Sequence, residues 1–196
     1  IFPPLSNGTV CDDGDFCTVG DVCQAGVCES GAPSSFAGAI GGSHGDVLRD
    51  IVPVDGGGSL AVGVTHADDA GSSDGWVVRF DKYGQKVWER TFGSAGADTL
   101  NSVVPSVNGA GWIATGLTVG ANGFEAVWLV SIAEDGTTLW ERKLSMVAAN
   151  DTVAQQGVSI AQRSDGTLVL LAAIGDYGHA VLAYLDSDGG MKESFV

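Results

Sequence analysis

Hydrophobic and polar positions recur along this chain in blocks. Trp76-Val77-Val78-Arg79-Phe80 returns as Trp128-Leu129-Val130-Ser131-Ile132, and Trp88-Glu89-Arg90 returns as Trp140-Glu141-Arg142, both about 52 residues later. A third copy is looser. Val181-Leu182-Ala183-Tyr184-Leu185 matches the tryptophan-led run, and Asp186-Ser187-Asp188-Gly189 follows where the earlier copies have Lys82-Tyr83-Gly84 and Glu134-Asp135-Gly136. Short apolar runs alternate with Asp-Gly and Asn-Gly pairs, the residues of tight hairpins. In the first copy the pattern predicts strands over Val47 to Val54, Ser59 to Thr65, Trp76 to Phe80 and Lys86 to Phe92. Asn108-Gly109 and Asp135-Gly136 mark the tight turns of the second copy, and Asp165-Gly166 and Asp188-Gly189 those of the third. No helical periodicity competes.

The third strand of each copy is apolar at consecutive positions, as in Val127-Trp128-Leu129-Val130, which predicts burial on both faces. The fourth, Lys86-Val87-Trp88-Glu89-Arg90, mixes in charge as an exposed edge does. A four-stranded antiparallel sheet of this length, covered on both sides by its neighbours, is a β-propeller blade. The expected fold is therefore all-β: a Cys-rich module over residues 1–33, then three blades over about 36–90, 91–142 and 143–196. Propellers close with about four to eight blades, so three make an incomplete ring. Residues Ser34 to Ile40 resemble an extra fourth strand. The expectations are a fragment of a longer propeller, copies completing a ring (two chains giving six blades), or an open assembly.

The head has a different logic. Cys11, Cys17, Cys23 and Cys28 fall in a segment with few apolar residues, where covalent staples replace a core too small to form. Two disulfides are expected, with three connectivities open. A zinc site fits less well, because there is no close C-x2-C pair and no His in the segment. Asp12, Asp13, Asp15 and Asp21 crowd the same region. They are candidate Ca2+ ligands and equally ordinary turn formers.

Composition narrows the partners. The chain has 196 residues, 44% apolar, with 30 Gly and a formal net charge of −15. Its mean hydropathy of +0.20 is too apolar for a disordered acidic tail. With no Lys or Arg before Arg49, nothing forms a basic patch for nucleic acid or anionic membranes, and no window is long and apolar enough for a membrane helix. Ile1-Phe2-Pro3-Pro4 has neither an initiator Met nor a charged leader, and is read as a processed or trimmed start.

Candidate chemistry falls on the longer loops, which follow the second and fourth strands of each blade and share one end of it. Asp46, Asp98 and Asp151 recur before the first strand and are read as structural. Residues that break the repeat are the candidate ligand contacts: His44, His66, Asp68, Asp69, Asp74, Glu125, Asp176 and His179. Trp76, Trp88, Trp128 and Trp140 recur in pairs and are assigned to packing, and Trp112 has no counterpart. There is no G-x-S-x-G, H-E-x-x-H or phosphate-binding glycine loop. The chain is therefore expected not to be an enzyme and to carry no cofactor, apart from the Ca2+ to which the head is suited.

Two resemblances agree with these readings. The string C-D-D-G-D-x-C-T-x-x-D-x-C-x-x-G-x-C, about residues 8 to 31, resembles a short Cys-rich repeat of secreted and surface proteins of myxobacteria, related bacteria and slime moulds. The pattern G-G-x-x-x-D, D-G-G, Gly63-Val64-Thr65, D-x-W, F-D-x-x-G and W-x-x-x-F-G, about residues 36 to 196, resembles a bacterial β-propeller repeat of secreted myxobacterial and deltaproteobacterial proteins. Copy three departs from it at Val181 and at Met191-Lys192-Glu193. The resemblances imply an extracellular or cell-surface location and a non-catalytic binding or structural role. They imply a protein or glycan ligand, and blades of the same longer chain or of homo-oligomer copies as neighbours. The alternatives are a self-assembling subunit of a ring or filament, and a fragment of a quinoprotein-like enzyme. The last rests on the similarity of Ile132 to Trp140 to the quinoprotein D-x-x-T-G-x-x-x-W stretch, here without its Thr-Gly.

Overall fold

The computed structural model describes residues 5–14, 18–33, 39–42, 44–66, 72–120, 123–146, 153–175 and 179–193. Strands β1 (Thr18–Val19), β2 (Val22–Gln24), β3 (Val27–Glu29) and β4 (Ala32–Pro33) form the head. β2 and β3 make a hairpin closed by Ala25 and Gly26, both at positive φ, the geometry of a primed turn. Asn7 Oδ1 accepts the Ala25 N–H at 2.8 Å. Cys11 and Cys28 form a disulfide, which by loop-closure entropy is worth about 3 kcal/mol. The second expected bridge is not made by Cys23, whose thiol is free and buried. Cys17 lies outside the described residues.

The three expected blades are three antiparallel meanders. The first is β5 (Val47–Pro53), β6 (Ser59–Thr65), β7 (Asp74–Phe80) and β8 (Lys86–Phe92). The second is β9 (Asp98–Pro105), β10 (Trp112–Val119), β11 (Glu125–Ile132) and β12 (Thr138–Leu144). The third is β13 (Gln155–Gln162), β14 (Leu168–Ile174), β15 (His179–Leu185) and the short β16 (Met191–Glu193). Their inner strands carry a register shift at one repeated place, between Leu48 and Asp50, opposite Thr115/Gly116, and between Gly157 and Ser159. Such bulges raise local twist and fix the register of each meander. The blades stack without closing a ring among the described residues.

Consecutive apolar residues on the middle strands are explained by the stack. Leu60, Val62 and Val77 of blade 1 face Leu100, Trp112, Ala114, Trp128, Val130 and Ile132 of blade 2. The other face of blade 2, with Ile113, Val127 and Leu129, packs on Ile160, Leu168, Leu170, Ala172, Ala183 and Leu185 of blade 3. The outer side of blade 1, with Ala61, Trp76, Val78 and Phe80, is closed by Ile40 and Leu48.

The recurring Trp-Glu-Arg is a clasp between blades. Trp88 on β8 donates its indole N–H to the Glu134 carbonyl of blade 2 at 3.2 Å. The Arg90 guanidinium lies over the indole at 5.8 Å. Gly136 in that turn has φ +84°, and a Cβ there would stand 3.0 Å from Arg90 and 3.2 Å from Trp88. The seam between blades 2 and 3 repeats this arrangement with Arg142 over Trp140 at 5.7 Å and with Gly189. Gly136→Ala is therefore expected to cost more than Gly109→Ala, whose turn also has positive φ but open space around it. Both bear the left-handed penalty of about 1–2 kcal/mol, and only Gly136→Ala also disturbs the clasp. Urea unfolding of the two variants checks this, and equal losses would contradict the clasp.

Candidate functional site

Each inner strand begins with a polar side chain that closes the loop leading into it. Asp46 Oδ2 accepts the Gly42 N–H at 2.5 Å, and its Oδ1 accepts the Thr65 hydroxyl at 2.7 Å and the His66 N–H at 3.2 Å. Asp98 Oδ2 accepts the Ser94 N–H at 2.6 Å. In the third unit Gln155 Oε1 accepts the Met146 N–H at 2.6 Å. The ladders confirm the equivalence, because Gln155 pairs with Ile174 as Asp98 pairs with Thr118. The third member of the series is thus Gln155 and not Asp151, which lies outside the described residues. A longer connection between β12 and β13 displaces the matching position, and spacing from the earlier copies cannot reveal that.

The repeat-breaking candidates occupy this loop-bearing end without forming one cluster. His66 adjoins the Asp46 closure, with its Nδ1 at 2.5 Å from the Gly45 carbonyl oxygen. His44 precedes the same closure. Asp74 opens β7, Glu125 opens β11, and the exposed His179 opens β15. Asp68, Asp69 and Asp176 lie outside the described residues. Among the described residues, one trio of His, Cys, Asp or Glu side chains converges, and it is in the head. Ligand atoms of Asp12, Asp13 and Asp21 come within 4.8 Å of one another, while Asp15 lies outside the described residues.

The head trio does the work of turn formers. Buried Asp21 accepts the Gly31 N–H at 2.9 Å and the Asp13 N–H at 3.3 Å. Asp12 accepts the Gly14 N–H at 2.9 Å and lies 3.6 Å from Lys82 of blade 1. Asp13 accepts the Ser30 hydroxyl at 2.5 Å. An all-oxygen set of this kind suits a hard cation, and it is also satisfied internally.

A cleft of about 510 Å³ opens on the outer side of blade 1, lined by Gly41, Gly42, Thr65, Trp76, Glu89 and Arg90 among others. Trp76 is only 3% exposed, so it serves as a wall and not as a stacking platform. The unmatched Trp112 is buried between blades 1 and 2. The tryptophans therefore pack, as their recurrence suggests. What the sequence leaves unseen is the neighbourhood of Asp74, Ser73, Asp98 and Thr118, where two blades meet.

No protein-family model matches the chain, and no curated protein does. Among solved structures, Sqt1 from Chaetomium thermophilum is similar over 78% of this chain, with 16% identity and a TM-score of 0.38. The match spans 36% of that protein's chain.

Hydrogen bonds from the Thr65 hydroxyl and the Gly42 N–H hold the Asp46 carboxyl below its ordinary pKa. A depressed folded-state pKa stabilises the fold above the unfolded value, near 4, and that stabilisation is lost as pH falls through the folded value. Asp46→Asn is expected to lose less stability between pH 5 and about pH 2 than the wild type, measured as melting temperature against pH. An acid limb of unchanged steepness would contradict this role.

Proposed function

We propose that the chain is a non-catalytic interaction module, exported to the cell surface or beyond, that assembles by pairing the free face of its third blade with the same face of a second copy. One observation carries this reading. Leu171 and Leu182 pair across blade 3 where Val62 and Val77 pair in blade 1, and Thr115 and Leu129 in blade 2. Those four are fully buried by the next blade, whereas Leu171 is 39% and Leu182 49% exposed. Val169, Ala173 and Tyr184 continue the face by strand alternation, and none of these side chains is charged.

An exposed apolar sheet face of this kind is an interaction surface. The first blade of another copy is a poorer occupant, because Ile40 and Leu48 already pack against the apolar residues of its outer side. The third-blade face itself is suitable, since an uncharged aliphatic surface is self-complementary across a two-fold axis. Blade 3 has Glu193, paired with Tyr184, at the ladder position of the clasping tryptophan of the other two blades. Export is supported by the Cys11–Cys28 bridge, which suits an oxidising compartment. The loop-bearing end, with His44, His66, Glu125 and His179, is then left for a protein or glycan ligand.

Light scattering at two protein concentrations tests the reading. The wild type is expected to be a dimer and Leu182→Glu a monomer with unchanged circular dichroism. A wild type that stays monomeric at high concentration, or a Leu182→Glu chain that stays dimeric, would overturn it.

A further inference from the structure

The end of the stack opposite the longer loops holds a pocket of about 230 Å³ between blades 1 and 2, lined by Pro53, Val54, Asp55, Pro105, Trp112 and Glu134 among others. Val54 packs against the core that the two blades share, and Trp112 and Ile132 belong to that core. Pro105 and Trp112 are ladder partners. Glu134 follows Ile132 by two residues, in the turn whose carbonyl accepts the Trp88 indole N–H.

The second seam is bridged where the first is open. Gln162 holds in blade 3 the place of Pro105 in blade 2, since it pairs with Leu168 as Pro105 pairs with Trp112. Its Oε1 accepts the Val107 N–H of blade 2 at 2.8 Å, a crossing that a proline side chain cannot make. At the first seam Trp112, the tryptophan without a counterpart, walls the gap and is 2% exposed. Its indole N–H has no hydrogen-bond partner among the described residues, whereas those of Trp88 and Trp128 donate to Glu134 and Glu141. A buried indole N–H ordinarily finds an acceptor. Asp55 and Glu134 are exposed at the rim, and neither has an ion-pair partner among the described residues. The Arg79 guanidinium on β7 is turned to the Ser59 and Gly57 carbonyls, at 3.4 Å from each.

We infer that this pocket binds a lysine side chain presented by a peptide segment of a basic partner protein. Three features of the ligand follow from three features of the pocket. The walls of Pro53, Val54, Pro105 and Trp112 suit an aliphatic stem that buries its methylenes while its head stays wet. The rim carboxylates of Asp55 and Glu134 suit the ammonium, a compact point charge that does not need the planar geometry an arginine fork demands. The unpartnered indole N–H of Trp112 suits a peptide carbonyl, which a peptide-borne lysine brings with it. A chain of net charge −15 also draws a basic segment toward it at a distance. The pocket lies away from the third-blade face, so this binding goes beyond the pairing of copies and does not depend on it.

Titration of the full chain with N-acetyl-lysine-N-methylamide at low ionic strength, followed by the assigned indole N–H resonance of Trp112 in NMR spectra, tests the site. The resonance is expected to shift and to saturate with a Kd of about 1–10 mM. The norleucine analogue, which keeps the stem and the amides but lacks the charge, should bind about fivefold more weakly or worse. Asp55→Asn with Glu134→Gln should weaken lysine binding by about the same factor. Both side chains are exposed, so the fold is expected to tolerate the change. Glu29→Gln with Asp188→Asn removes equal charge from exposed positions elsewhere and should leave the affinity unchanged. The inference is overturned if the Trp112 resonance stays unmoved at about 50 mM probe, if the norleucine analogue binds equally well, if the Asp55/Glu134 variant keeps full affinity, or if the Glu29/Asp188 variant loses as much.

Discussion

The structure depends on middle strands that must be covered on both faces. Val127-Trp128-Leu129-Val130 cannot sit half in water, because each buried aliphatic side chain is worth about 1.5–3 kcal/mol and successive residues on a strand point opposite ways. Blade 2 meets this demand with a neighbour on each side. Blade 1 meets it with one neighbour, with Ile40 from the segment ahead of it and with Leu48 of its own inner strand. Among the described residues blade 3 meets it on one side only, and Leu171 and Leu182 on its other side are partly exposed.

Seams between blades hold more than apolar contact. The outer strands of blades 1 and 2 each place a tryptophan and an arginine on the next blade's Asp-Gly turn, and each inner strand is tied at its start by a polar side chain. The clasp fixes the periphery and the ties fix the loop-bearing end. Between blades 1 and 2 the polar end is charged and carries two unsatisfied oxygens. Between blades 2 and 3 Gln155 holds the corresponding position and accepts the Met146 N–H.

Much of the fold is legible in the sequence because it is local and repeated. The Trp76/Trp128 and Trp88/Trp140 pairs, the Asp-Gly turns and the consecutive apolar strands give the three meanders and most of their boundaries. The recurring Trp-Glu-Arg can be seen, but its role depends on a turn about 46 residues away, which periodicity within a unit does not reveal. Asp151 is misleading because a longer connection precedes β13, and only ladder register identifies Gln155 as the equivalent of Asp98. Asp74 stands out by breaking the repeat, whereas Asp98 looks structural because its class recurs. In the head, cysteine spacing leaves the connectivity open, and the structure joins Cys11 to Cys28.

Amide hydrogen exchange across the three blades tests the central claim, that two-sided burial of the middle strands orders this stack. Protection should be greatest in β10 and β11, which are covered on both faces, and lower in β14 and β15 of the monomer, where one face is open. Slower exchange in β14 and β15 than in β10 and β11 at concentrations that keep the chain monomeric would contradict the account.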